Sequence, residues 1–124
     1  PMALTLAFGQ LTKSVLGRAE DILDAMDYDA DVLEASEQNW RFHQALYQPC
    51  GRRYLMENIE RLHTASRHMT IIGWAVDRRF RDSDDEHRAL LQACRARDLK
   101  AATALVETHT REAMVSVLAG LEAA

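Results

Sequence analysis

The stretch 83–117, SDDEHRALLQACRARDLKAATALVETHTREAMVSV, constrains the fold of this chain more than any other. Its apolar residues recur at helical spacing in two runs separated near Arg97-Asp98. Ser83 and Glu86 have the S-x-x-E spacing of a capping box, and Asp84 and Asp85 place negative charge at the positive end of the first helix. The inward row of that helix is His87, Leu90, Leu91, Cys94. Arg95 and Arg97 suit its C-terminus, and Asp98 suits the N-cap of the second helix, whose row is Leu99, Ala102, Val106, His109, Ala113, Val117. Two helices joined by so short a turn run antiparallel. At ~1.5 Å per residue both imidazoles then lie ~16 Å from the turn, level and able to face each other. A lone histidine on an apolar stripe is ordinarily a hydrogen-bonded core or boundary residue; two at one height in facing helices are candidates for a shared metal ion or anion.

The remainder reads as helix too. At 124 residues and 48% hydrophobic content, the chain supplies one core, so residues 1–124 are expected to form a single domain. Nineteen acidic against fifteen basic residues give a net charge of -4 with no basic stripe, which argues against this piece gripping nucleic acid by itself. Cys50 and Cys94 lack metal or redox spacing and read as free thiols in a reducing compartment. The longest mostly apolar run, MTIIGWAV at 69–76, is too short to span a bilayer, and no signal-peptide pattern appears, so a cytoplasmic location without membrane contact is expected. Pro1 ahead of Met2 is not a natural start and is read as a scar or the edge of a truncation.

In chain order, residues 3–26 suggest two short helices, or one bent near Gly17, ending before the turn-like YDAD. A helix from about Asp31 to Tyr47 follows, with inward row Val32, Ser36, Asn39, His43 and Leu46/Tyr47, and with Trp40 and Phe42 widening its buried face. Asn39 and His43, four apart, leave one face a turn apart, the spacing that lets a helix give two ligands to one ion or lets the pair simply hydrogen-bond. Pro49-Cys50-Gly51 stops that helix. A long helix runs from about Arg52 to Val76 with core row Leu55, Ile59, Leu62, Met69, Ile72 and Val76. His63 and His68 flank the row as half-exposed residues, and Arg67 is a candidate for a central cavity, its ordinary reading being solvent-facing. The charged DRRFRD at 77–82 reads as a loop.

With no strand-like alternation or repeat, the expected fold is all-α, an antiparallel helical bundle. Asn39, His43, His87 and His109 come from three helices and lie on inward rows, where an unpartnered polar group costs roughly 1–3 kcal/mol. Three neutral imidazoles and an amide oxygen suit a divalent ion, zinc or nickel first, with manganese, iron or cobalt as alternatives. A polar core network with buried water is the competing reading, evenly balanced on the residues alone.

The same residues carry a family resemblance. The order N-x-x-F-H (Asn39, Phe42, His43), CGRRYL, E-H-x-x-L-L-x-A (Glu86, His87, Leu90, Leu91, Ala93), R-D-x-x-A-A (Arg97, Asp98, Ala101, Ala102) and a closing His109 resembles the FCD domain. That domain senses effectors in FadR-type regulators of the GntR superfamily, and the likeness covers about residues 10 to 118. It implies a bundle with a central metal and ligand cavity, the metal at Asn39, His43, His87 and His109, a small carboxylate effector, and a homodimer. Family members more often carry aspartate where Asn39 stands. They also carry an N-terminal winged helix-turn-helix as DNA reader, which nothing before residue 31 resembles, so DNA is expected to be contacted only through a reader not present in this chain. An arginine on the first helices often helps hold the effector in this family, and Arg18 is the only one there. The function expected is therefore a ligand-sensing domain that is not an enzyme. The alternatives are a metal-dependent enzyme on a histidine-rich bundle, disfavoured because Glu86 and Glu112 should point sideways on their helices, and a purely structural dimerisation bundle.

Overall fold

A computed structural model describes the backbone of residues 2–26, 32–77 and 83–123, and the side chains of 2–26, 33–65, 84–111 and 118. Six α-helices account for nearly all of it: α1 (Met2–Ala7), α2 (Lys13–Ala25), α3 (Val32–Tyr47), α4 (Arg53–Asp77), α5 (Ser83–Arg95) and α6 (Leu99–Ala123). Short 3-10 turns at Phe8–Gln10 and Gln48–Cys50 follow α1 and α3. The described residues contain no strand.

Local chemistry sets the ends. The Thr12 side chain accepts from the Val15 N–H at 3.2 Å and starts α2. The first bend therefore falls at residues 9–12, not at Gly17 as the glycine suggested; Gly17 lies inside α2, flanked by the buried Leu16 and Ala19, whose burial offsets the ~1 kcal/mol that a helical glycine costs. Gly51 adopts a left-handed conformation (φ 68°) after Pro49 and ends the α3 segment. Asp98 accepts from the Ala101 N–H at 3.0 Å and caps α6, as its position predicts.

Five helices close into a ring, α2 on α3, α3 on α4, α4 on α6, α6 on α5 and α5 back on α2, with α1 packed at one end against α3 and the Gln48–Cys50 turn. The core fills the part of the ring nearest the α5–α6 turn and includes Leu4, Leu16, Leu23, Phe42, Leu46, Leu90, Leu91, Cys94, Ala102 and Val106. Both cysteines are free, and burial pushes the Cys94 thiol up to about 11. The inward rows of α3, α5 and α6 agree with the sequence pattern wherever side chains are described. That of α4 does not: Leu62 is 69% exposed, and among its described side chains the buried one is Met56. Met69, Ile72 and Val76 lie outside the described side chains, as do the loop at 78–82 and the Ser83 side chain of the capping box.

Candidate metal centre

His43 of α3, His87 of α5 and His109 of α6 converge inside the ring, one layer above the core. Their ring centroids form a near-equilateral triangle: 5.2 Å for His43–His87, 5.2 Å for His87–His109 and 5.4 Å for His43–His109. Phe42, one residue before His43 and fully buried, packs under His87 at 4.8 Å. One ligating nitrogen from each histidine lies within 4.8 Å of the other two. Some point is then within about 2.8 Å of all three (4.8 Å/√3), so side-chain shifts of under ~1 Å reach the ~2.0–2.1 Å of a zinc–imidazole bond.

Two of the rings have a partner at Nδ1. The Nδ1 of His43 lies 3.5 Å from the Tyr47 hydroxyl, one turn along α3. The Nδ1 of His109 hydrogen-bonds to the Glu86 carboxylate, which reaches across from α5. With Nδ1 engaged in both, Nε2 is the nitrogen each ring has left for an ion. His87 is 1% exposed, and neither its Nδ1 nor its Nε2 has a hydrogen-bond partner among the described residues. The buried Oδ1 of Asn39, one turn before His43, also has none among them.

Electrostatics keep His43 and His87 neutral. Burial is the largest cause holding His43 well below the ordinary histidine value, with His87, His109 and His63 adding repulsion. Burial likewise pushes His87 down to about 3, His109 adding to the shift and Asp84 opposing it. Neutral imidazoles present lone pairs, the form a metal binds. An ion would satisfy one of the two unpartnered nitrogens of His87, and three imidazole donors around one point fit a divalent metal.

The structure brings together His43, His87 and His109; Asn39 lies one turn before His43 on α3, with its Oδ1 buried. The Arg67 and His68 side chains lie outside the described residues. Arg18 does not join the histidines; it is exposed, in a groove between α2 and α3 shared with Arg41. Glu86 corrects an expectation, since its carboxylate engages His109 instead of pointing sideways. Sequence reasoning also gave no role to Tyr47, nor to the stack of His63 on Trp40 (4.7 Å, 15°) that links α4 to α3 beside Asn39. For Glu86 the available signal was its place immediately before a cavity histidine. For the stack, the sequence pattern gave none.

The sequence matches the family model of the FCD domain over residues 1–112. The chain belongs to the FCD family. FCD is the C-terminal domain of GntR/FadR-type regulators and is all-α, in agreement with the ring described above. No curated protein and no solved structure matches the chain. In this FCD domain the clustered histidines come from α3, α5 and α6, and no described helix is long and apolar enough to cross a membrane.

Proposed function

We propose that this FCD domain is the metal-dependent, effector-sensing part of a GntR/FadR-type transcriptional regulator. Asn39, His43, His87 and His109 hold a divalent ion, zinc or nickel before manganese, iron or cobalt, and the effector is a small carboxylate. The observation that carries the reading is His87, an imidazole 1% exposed with two unsatisfied nitrogens, facing two histidines from other helices. Leaving a buried polar atom without a partner costs roughly 1–3 kcal/mol, whereas a metal turns one of the two ring nitrogens into a ligand. When bound, the ion supplies a Lewis-acidic anchor for a carboxylate oxygen.

The chain's own residues do the rest. Glu86 and Tyr47 fix the orientation of His109 and His43, Phe42 closes the apolar floor, and the three ligand-bearing helices become tied to one point. An effector that binds there shifts the population of domain arrangements only by as much as it prefers one of them. The regulator is read as a homodimer, supported by Tyr54 and Leu62, which are 75% and 69% exposed two turns apart on α4. DNA is contacted by the regulator's reader domain.

Elemental analysis with thermal melts before and after chelation tests this. Near-stoichiometric metal is expected, with a melting temperature that falls on chelation, recovers on addition of zinc or nickel, and does not respond in His87→Ala. A metal-free protein whose melting temperature ignores added zinc and nickel overturns the reading.

A further inference from the structure

A second polar feature lies on the opposite side of α3 from the histidines. Val15, Arg18 and Ile22 of α2 form one stripe at i, i+3 and i+7. It faces Arg41, Gln44, Ala45, Gln48 and Pro49 across a groove of about 410 Å³. At ~100° per residue, Arg41 and Ala45 each lie about 160° round α3 from His43, so the groove does not open into the histidine cluster. Its floor is apolar, because Val15, Ile22 and Ala45 rest on the core with their outer surfaces uncovered.

The charge is what makes the groove unusual. The chain is acidic overall at -4, yet Arg18 and Arg41 both line this groove and no acidic side chain does. Neither forms an ion pair or hydrogen bond among the described residues. Elsewhere Arg53 pairs with Glu57, Arg88 with Asp24 and Asp84, and Arg95 with Glu20. Two unneutralised guanidinium groups over an apolar floor complement a carboxylate on an apolar body, since the planar fork pairs with both carboxylate oxygens and the floor removes the body from water. The floor runs about 10 Å along α2 from Val15 to Ile22, which suits a body of a few bonds and one ring.

We propose that the α2–α3 groove is a second ligand site, separate from the histidine cluster, for an amphipathic organic monocarboxylate. Its head lies between Arg18 and Arg41, its body lies on Val15, Ile22 and Ala45, and Gln44 and Gln48 supply amide donors at the rim. It needs no metal.

The test uses 4-phenylbutyrate as the probe and amide NMR shifts of the full chain as the readout. Saturable shifts are expected on α2 and α3 around Val15, Ile22 and Ala45, with a dissociation constant of about 1 mM or tighter. The Arg18→Gln/Arg41→Gln double variant should weaken binding about tenfold or more, and the uncharged analogue 4-phenylbutanol should bind correspondingly less well. Chelated protein and His87→Ala should bind the probe unchanged, which keeps this test independent of the metal reading. Shifts confined to residues around His43, His87 and His109 overturn the proposal. So do binding lost on chelation, equal binding of the alcohol, indifference to the double substitution, or no saturation by about 10 mM.

Discussion

The Glu86 carboxylate does not touch the centre of the histidine triangle, yet it fixes what His109 can offer there. By accepting from Nδ1 it holds the proton on that side of the ring and leaves Nε2 as the ligating atom. Glu86→Ala should therefore weaken zinc or nickel about 10–100-fold in a chelator-competition titration while far-UV circular dichroism stays unchanged; wild-type affinity in the variant would show that the contact orients nothing. Asn39 acts through charge. Asn39→Asp supplies an anionic ligand, so metal should bind more tightly and a carboxylate effector less tightly, both read by calorimetry, and unchanged affinities would remove Asn39 from the site. The convergence of His43, His87 and His109 was legible in the sequence because each sits on an inward row fixed by its own helix. Glu86 was not, because the direction of a residue one step off the row depends on how α5 and α6 are rotated about their axes, which no single helix pattern sets.

The α5–α6 connection is where local sequence and local geometry disagree most. The Asp98 N–H bonds to the Ala93 carbonyl at 3.0 Å and the Arg97 N–H to the Cys94 carbonyl at 3.1 Å, a Schellman end whose pivot residue must be left-handed. That residue is Arg97, at φ 58°, where glycine would carry no Cβ penalty. Arg97→Gly is expected to stabilise the chain by about 0.5–1 kcal/mol, and Asp98→Ala to cost about 1 kcal/mol by freeing the Ala101 N–H. Urea denaturation of both variants checks this, and a destabilised Arg97→Gly would mean that the arginine side chain holds the turn. The helix pair itself was readable from its cap and two rows. The buried face of α4 was less so: its apolar residues surround the helix, and Leu62 falls on the exposed side while Met56 is buried, a choice made by the neighbours α3 and α6.

For the whole molecule, a ring of five helices closed around buried imidazoles has a pH-dependent stability whose sign follows from the two lowered histidines, His43 and His87. His87 sits at about 3 in the folded chain and His43 well below its ordinary value, whereas both return to about 6.5 on unfolding. The unfolded chain then binds protons first as the pH falls. The stability these groups contribute is present above about pH 6.5 and is lost as the pH drops from there toward 3, at up to about 1.4 kcal/mol per pH unit for each histidine. Asp84, which faces His87, opposes the shift only in part. Chelated protein should thus lose roughly 1–3 kcal/mol in urea denaturation for each unit between pH 6.5 and 5, a window above the range where ordinary carboxylates titrate. Bound metal competes with protons for the same lone pairs, so the thermal gain from added zinc should shrink over the same window. His87→Leu separates the contributions: it removes one titrating group and two unsatisfied buried nitrogens, so the chelated variant should be more stable than chelated wild type at pH 5 and should show no response to zinc. A chelated wild-type protein whose stability is flat from pH 6.5 to 5 would mean that the histidine layer opens to water, and with it the case for a preformed metal centre would fall.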